Sequence, residues 1–92
     1  MTALSPAEAV LHLSNLPAWQ IEGAELTRTF QFEDFVAALG FVNRVAALAE
    51  EAGHHPDIDI RYNRIRLGLT THDAGGLTVK DFNLAAAIDK TA

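Results

Sequence analysis

Cysteine is absent from the 92 residues of this chain. Without a thiol there is no disulfide, no cysteine nucleophile and no cysteine ligand for a metal. Basic residues are also few, since seven Lys and Arg stand against twelve Asp and Glu, which gives a net charge of −5. No basic patch or stripe stands out in the sequence, so a nucleic-acid partner is not expected.

Long apolar runs are missing as well. No run approaches the length of a membrane span, and the first residues show no charged region followed by an apolar core. We therefore expect no membrane association, no secretory signal and a cytoplasmic location. Hydrophobic residues make up 49% of the chain and charged residues 21%, which is ordinary globular composition. The length predicts one domain over residues 1–92 whose small core would benefit from assembly into oligomers.

The spacing of apolar and turn residues predicts seven elements in the order helix, strand, strand, helix, strand, strand, helix. The strands are predicted at 19–22, 25–32, 57–62 and 65–70. The helix boundaries are indicated, in chain order, by Ser5 with Glu8, by Glu33 or Asp34, by Gly53 and by Thr78. Because tight hairpins join the strands in pairs, we expect a four-stranded antiparallel sheet with the helices packed on one face, the α+β class.

Apolar residues at spacings of three and four predict which side of each helix faces the sheet. The first helix is expected to bury Ala7, Val10 and Leu11. The second is expected to bury Phe35, Leu39, Val42, Val45, Ala46 and Ala49, with Phe41 and Leu48 widening the same side. The third is expected to bury Val79, Phe82, Ala85, Ala86 and Ile88.

The two strands in the second half of the chain predict how its histidines are arranged. Apolar and polar residues alternate in both strands, so each is buried on one face, and a turn at Asn63-Arg64 would join them. In that register Tyr62 pairs with Ile65, and continuing the pairing outward sets His55 opposite His72. His54 is the neighbour of His55, so three of the four histidines would converge at the open end of the hairpin.

Three neighbouring imidazoles favour proton-transfer chemistry. Imidazole titrates near neutrality, so one ring can donate a proton while another accepts one. Charging two adjacent rings is costly, which favours one protonated and one neutral partner. That arrangement suits the elimination of water, and Glu50 or Asp81 could orient one of the rings. The fourth histidine, His12, is expected to be exposed and is assigned no role.

Two alternatives remain open. Three histidines together with Glu50, Asp57 or Asp73 could form a catalytic zinc site. However, the side chains of His54 and His55 diverge in an extended chain, so one ion would rarely bind both. The second alternative is a non-enzymatic module whose oligomer surface binds another protein, and exposed apolar side chains on the first or second helix would favour it.

These residues resemble the signature of the pterin-4a-carbinolamine dehydratase family. The family pattern is an acidic residue, three positions, His-His-Pro, five positions, an aromatic residue, nine positions, His, and an Asp further on. In this sequence the pattern is filled by Glu50, His54, His55, Pro56, Tyr62, His72 and Asp81. The resemblance extends over essentially the whole chain, including the segments 16–19, 44–46 and 82–85.

The resemblance implies a specific activity. Members of the family dehydrate 4a-hydroxytetrahydropterin to quinonoid dihydropterin, which recycles the cofactor of aromatic amino acid hydroxylases, and they use neither a metal nor a prosthetic group. It implies homodimers or homotetramers, and some animal members also bind a homeodomain transcription factor.

The resemblance also implies roles for individual residues. His54, His55 and His72 would be the catalytic histidines, with His55 mainly holding the pterin and the other two transferring protons. Asp81 would support a histidine, and Glu50 would contact the pterin ring. The full set expected to bind the substrate is Glu50, Gly53, His54, His55, Thr70, Thr71, His72 and Asp81.

Overall fold

The structure is a computed structural model that describes residues 2–92, so Met1 of the predicted domain lies outside the described residues. Its elements, in chain order, are α1 (Pro6–Leu13), β1 (Gln20–Glu22), β2 (Glu25–Gln31), α2 (Phe35–Ala52), β3 (Asp57–Arg61), β4 (Arg64–Leu69) and α3 (Val79–Thr91). A single 3-10 turn at His72–Ala74 precedes α3. The predicted order of elements and the α+β class are confirmed.

The four strands form one antiparallel sheet in the order β1-β2-β4-β3. Its inner face is apolar, and the helices cover it. The ring of Phe30 on β2 lies 4.6 Å from that of Phe41 on α2, measured between centroids. Ile65, Leu67 and Leu69 on β4 are fully buried in the same core. Within residues 2–92, none of the helices combines the length and the apolar character that crossing a bilayer requires.

Local capping explains where the three helices begin and where α2 ends. Ser5 and Glu8 form a capping box at α1, and Thr78 and Asp81 form another at α3. The side chain of Asp34 accepts a hydrogen bond from the backbone of Ala37 at the start of α2. Gly53 ends α2 with a φ of 62°, which glycine adopts at little steric cost. The capping residues predicted from the sequence are confirmed.

The register predicted for the second hairpin is wrong by two residues. Ile60 pairs with Ile65 and Ile58 with Leu67, so the turn is Tyr62-Asn63 and not Asn63-Arg64. Asn63 is held there because its backbone oxygen accepts from the amide of Phe32 at 2.9 Å, while its side-chain amide donates to the Phe32 carbonyl at 2.8 Å. Tyr62 then takes a φ of 51°, an uncommon conformation for a bulky residue.

This shift overturns the predicted opposition of His55 and His72. When the observed register is extended beyond the strand ends, Thr70 stands opposite His55. A shift of two residues keeps each side chain on its face of the sheet. The apolar residues of β3 and β4 therefore still point toward the helices, as predicted.

The predicted buried sides of the helices are partly wrong. On α2, Phe35 and Ala46 are exposed, whereas Phe41, Val45 and Ala49 are buried as predicted, and Ala38 is buried although it was not predicted to be. On α1, Val10 and Leu11 are exposed and Ala9 is buried. On α3, Val79 is exposed, while Leu84 is buried. Each helix carries apolar residues on more than one side, so periodicity alone did not decide which side packs on the sheet.

Candidate active site

The three clustered histidines reach one cleft from two places in the fold. His54 and His55 follow the left-handed Gly53, which ends α2 and turns the chain toward β3. The amide of His54 still donates to the Ala49 carbonyl at 3.1 Å, so its backbone is tied to the last turn of the helix. His72 lies just beyond the end of β4, at the first position of the 3-10 turn.

The cleft between these segments has a volume of about 270 Å³. The residues that line it are Gly53, His54, His55, Thr70, Thr71, His72, Asp73 and Lys80. The structure thus brings together six of the eight residues expected to bind substrate. Glu50 and Asp81 are not part of this lining, but each contacts a histidine that is. Lys80 was not predicted to line the cleft, and its place there follows from the position of the first turn of α3.

His54 is anchored by a buried carboxylate. Its Nε2 lies 2.6 Å from Oδ1 of Asp81, and the exposed fractions of the two side chains are 12% and 0%. The second oxygen of Asp81 accepts hydrogen bonds from the Thr71 hydroxyl at 2.8 Å and from the Thr78 amide at 2.9 Å. The complete burial of this carboxylate was not predicted from the sequence.

His55 is held differently, at the surface. Its Nε2 is within hydrogen-bond distance of Oε2 of Glu50, but the exposed fractions of the two side chains are 63% and 76%. The sequence suggested that Glu50 has a histidine partner four residues on, which would be His54. The structure instead pairs it with His55, because His54 is turned toward Asp81.

The remaining lining residues come from the end of β4 and the turn that follows. The hydroxyl of Thr70 donates to the Ala24 carbonyl at 2.7 Å, which links the end of β4 to the β1–β2 turn. The side chain of Thr71 is buried, whereas that of His72 is exposed at the rim of the cleft. The cleft therefore has a fixed inner wall and an accessible rim.

A second cavity of about 380 Å³ lies on the other side of His54, between α2 and α3. Its lining residues are Leu48, Glu51, Ala52, His54, Lys80, Asn83, Leu84 and Ala87. It is larger than the first cleft and, among residues 2–92, shares only His54 and Lys80 with it. We regard the smaller cleft as the candidate site, because three groups able to donate or accept protons near neutrality meet there.

The geometry gives no support to the zinc alternative. Among residues 2–92, no three or more His, Asp or Glu side chains are arranged to hold a metal ion. The ring nitrogens of His54 and His55 that contact carboxylates do so with different partners, Asp81 and Glu50.

The fourth histidine lies away from the cleft. His12 on α1 stacks against Phe82, with 5.2 Å between ring centroids and an interplanar angle of 25°. It is partly buried, so its predicted full exposure is wrong. Because it faces neither the cleft nor a carboxylate of the cleft, it offers a natural control for experiments on the other three.

Chemically, the cleft combines a rigid imidazole with two adaptable ones. His54 is fixed by a buried acceptor, whereas His55 and His72 have room to adjust to a ligand. Such a set can donate a proton at one point of a bound molecule and remove one at another. It offers no cysteine nucleophile, since the chain has none.

The sequence is similar over nearly its whole length to one protein family. The family model described as Pterin 4 alpha carbinolamine dehydratase matches residues 2–91. A relative from Acidobacterium capsulatum is 61% identical over 89 residues, which covers 97% of each chain. A relative from Chloroflexus aurantiacus is 63% identical over 90 residues, which covers 98% of this chain and 97% of the relative. Both relatives are provisionally named pterin-4-alpha-carbinolamine dehydratase.

Two solved structures share the fold. A Brucella melitensis protein described as a transcriptional coactivator/pterin dehydratase has a TM-score of 0.93 and 35% identity, with 99% of each chain covered. A pterin dehydratase-like protein described as a RuBisCO assembly factor in the alpha-carboxysome has a TM-score of 0.64 and 26% identity. That match covers 78% of this chain and 83% of the other.

Proposed function

Because this chain belongs to the pterin 4 alpha carbinolamine dehydratase family, we propose that it removes water from a 4a-hydroxytetrahydropterin to give the quinonoid dihydropterin. The observation that carries the proposal is the meeting of His54, His55 and His72 at one cleft. These are the histidines of the family signature, and imidazole is the side chain that general acid–base catalysis uses most often.

The reaction needs only proton transfers. In a carbinolamine, one carbon bears both a hydroxyl group and a nitrogen. The carbon–oxygen bond breaks as the hydroxyl accepts a proton and leaves as water, while the nitrogen loses its proton and a carbon–nitrogen double bond forms. No oxidation state changes, so an acid and a base suffice, and the proposal includes neither a cofactor nor a metal.

We assign proton transfer to His54 and His72 and substrate holding to His55. His54 is suited to the task because Asp81 fixes its ring and can stabilise its charged form. His72 faces the cleft from the opposite segment, so the two rings can act on different atoms of one substrate. His55 and Glu50 form an exposed pair whose hydrogen bonds can be exchanged for bonds to the pterin ring.

The other predicted residues shape the cleft. Gly53, Thr70 and Thr71 contribute to the wall against which a flat ring could lie. The proposed substrate-binding set keeps all eight residues expected from the sequence. Lys80 joins it as a cation at the rim.

We further propose that the protein acts in tetrahydrobiopterin recycling in the cytoplasm and as a homodimer or homotetramer. Support for assembly comes from β3, which is an edge strand of the sheet. Ile60 on that strand and Tyr62 beside it are exposed, by 41% and 66% respectively. An exposed sheet edge flanked by apolar side chains is a surface on which a second copy could pair.

A second candidate function is supported by the exposed apolar side chains of the first two helices. Val10 and Leu11 on α1 are 61% and 71% exposed, and Phe35 and Val36 on α2 are 43% and 77% exposed. The similar structures described as a coactivator and as an assembly factor suggest a protein-binding role for such surfaces. This role could coexist with catalysis, because these residues do not line the histidine cleft.

Stopped-flow measurement with freshly generated carbinolamine tests the first candidate, because the substrate also loses water unaided and the background must be subtracted. We expect His54→Ala and His72→Ala each to reduce the enzymatic rate by about 10²–10⁴-fold, the usual contribution of a general acid or base. The matched control is His12→Ala, which removes an imidazole outside the cleft and should retain the rate. Unchanged turnover in both cleft variants would refute the assignment.

Binding experiments separate the second candidate from the first. A partner that is still captured after all three cleft histidines are replaced by Ala, but is lost from Leu11→Ser or Val36→Ser, would support a binding role. Loss of dehydration in the histidine variants with no such partner would leave catalysis as the function of the chain.

A further inference from the structure

The buried carboxylate behind His54 is the end of a chain of hydrogen bonds that runs through two threonines. The hydroxyl of Thr71 lies 2.8 Å from Asp81 Oδ2 and 2.8 Å from the hydroxyl of Thr78. Thr78 Oγ1 is also 3.3 Å from the backbone nitrogen of Lys80. Thr71, Thr78 and Asp81 are 6%, 5% and 0% exposed, so water has little access to these groups.

The direction of every bond in this chain can be deduced by counting hydrogens. A hydroxyl has a single hydrogen, and the Thr71 hydroxyl donates it to Oδ2 of Asp81. Thr78 must therefore be the donor in the bond between the two hydroxyls. Thr78 Oγ1 in turn accepts from the Lys80 amide. The donors therefore follow one direction along the chain of bonds: the Lys80 amide donates to Thr78, Thr78 donates to Thr71, and Thr71 donates to Asp81.

Asp81 consequently faces donors on both of its oxygens. Oδ2 accepts from the Thr71 hydroxyl and the Thr78 amide, which leaves Oδ1 for the ring of His54. If Oδ2 carried a proton, that proton would face the hydrogens of the Thr71 hydroxyl and the Thr78 amide, which already donate to this oxygen. The ionised carboxylate is the form that these neighbours satisfy, and an ionised carboxylate requires His54 Nε2 to be the donor.

We propose that Thr71 and Thr78 are positioning residues that hold Asp81 so that His54 keeps its hydrogen on Nε2 and meets the substrate through Nδ1. Nδ1 forms no hydrogen bond with any of the described residues, while the ring lines the cleft. In neutral His54 this nitrogen carries the lone pair and accepts a proton, and in protonated His54 it is the donor. The catalytic part of this inference rests on the proposed function, whereas the tautomer itself does not.

The two threonine side chains that approach the cleft have different roles. The hydroxyl of Thr71 is directed inward to Asp81 and is not available to a ligand. The hydroxyl of Thr70 instead bonds to the Ala24 carbonyl. The hydroxyl of Thr71 would therefore influence the reaction through His54, while the rest of the residue remains part of the cleft wall.

Nitrogen-15 NMR of the imidazole rings tests the tautomer directly and requires no substrate. Above the pH at which His54 loses its charge, the wild-type ring should carry its hydrogen on Nε2. In Asp81→Asn, the amide oxygen should face Thr71 and Thr78, which places the amide hydrogens against Nε2. The hydrogen of His54 should then move to Nδ1. A wild-type ring with its hydrogen on Nδ1 would overturn the proposal.

Variants of Thr71 test the positioning role. We expect Thr71→Val to increase the exchange rate of the His54 Nε2 hydrogen with water, and to lower kcat, each by about tenfold, as for the loss of one hydrogen bond to a charged group. KM should stay within about twofold, because valine keeps the shape of the cleft wall and the lost hydroxyl faces Asp81 and Thr78, not the substrate. Thr71→Ser should restore both values. If Thr71→Val does not fold, Thr71→Ala provides the same loss of the hydroxyl with a smaller side chain.

Thr27→Val is the matched control. Thr27 is also a buried threonine, 1% exposed, and its hydroxyl donates to the carboxylate of Glu22 at 3.0 Å, away from the cleft. The control should leave both the exchange of the His54 hydrogen and kcat unchanged. Equal exchange rates in wild type and Thr71→Val would contradict the positioning role. If the protein does not dehydrate pterins but His54 responds as predicted, the proposed function fails and the network stands.

Discussion

The first and last helices begin with the same motif, but the two copies have different surroundings. At α1, Ser5 and Glu8 are both exposed, and their side chains bond to each other's backbone amides. At α3, Asp81 occupies the position that Glu8 has at α1, but it is completely buried and also bonds to His54. A capping box is a local device, and it becomes part of a site only where the fold brings a histidine against it.

The two neighbouring histidines repeat this contrast within the cleft. His54 pairs with a buried carboxylate that has three donors, whereas His55 pairs with an exposed carboxylate. A buried pair must keep its geometry, because a lost partner leaves a charge without solvation. An exposed pair can exchange its partner for water or for a ligand at little cost. The cleft therefore has one preorganised ring beside one adaptable ring.

The largest difference between the two capping boxes should appear in stability. Asp81→Ala removes an acceptor from His54, from the Thr71 hydroxyl and from the Thr78 amide, and it should reduce the free energy of unfolding by about 3–5 kcal/mol. Glu8→Ala should cost much less, because water can replace the lost contacts. Urea denaturation of both variants measures the difference. Equal losses would show that burial does not distinguish the two motifs.

Catalysis should separate the two histidine–carboxylate pairs. Asp81→Asn keeps the shape of the side chain but reverses the preferred tautomer of His54, so we expect kcat to fall by about a hundredfold. Glu50→Gln changes an exposed pair, and kcat should stay within about threefold. Steady-state dehydration rates test both values. A larger loss in Glu50→Gln than in Asp81→Asn would reverse the roles assigned to the two pairs.

Salt should weaken the coupling between His55 and Glu50 more than the coupling between His54 and Asp81. A double-mutant cycle between His55 and Glu50 should give a coupling energy of about 0.2–1 kcal/mol at low ionic strength, and this coupling should disappear in about 1 M salt. The coupling between His54 and Asp81 should persist, because buried pairs are screened much less. Stabilities measured by denaturation at the two salt concentrations supply both cycles. A salt-sensitive His54–Asp81 coupling would be inconsistent with its burial.

The smallest expected effect is the pH dependence of stability that comes from Glu8 in the exposed capping box of α1. The backbone amide of Ser5, and then its hydroxyl, hold the pKa of Glu8 below its ordinary value. A carboxyl whose pKa is lower in the folded state stabilises the fold above its unfolded pKa, and this contribution is lost as the pH falls through the folded pKa. Urea midpoints of wild type and Glu8→Gln should therefore differ at about pH 7 and converge near about pH 3. A gap that widens on acidification would contradict this sign.

Features set by near neighbours could be predicted from the sequence. The element order, the capping boxes and the glycine at the end of α2 depend on residues a few positions apart. The three histidines were also expected to meet at one end of the second hairpin, and the structure places them at one cleft. That expectation survived an error in register, because the segment before β3, with His54 and His55, and the segment after β4, with His72, lie at the same end of the hairpin in either register.

Features set by distant contacts could not be predicted in this way. The turn at Tyr62-Asn63 depends on hydrogen bonds between Asn63 and Phe32, which are far apart in sequence. The burial of Asp81 depends on Thr71 and His54 closing around the start of α3. In the sequence, Asp81 is simply the third residue after a helix cap, and nothing local separates it from Glu8.

The most direct test of the shared cleft is an NMR titration of the four imidazole rings with an oxidised pterin that cannot react. The account predicts that the resonances of His54, His55 and His72 shift together with one dissociation constant, while those of His12 stay in place. Binding that shifts His12 as much as the other three, or that leaves His54 and His72 unmoved, would contradict it.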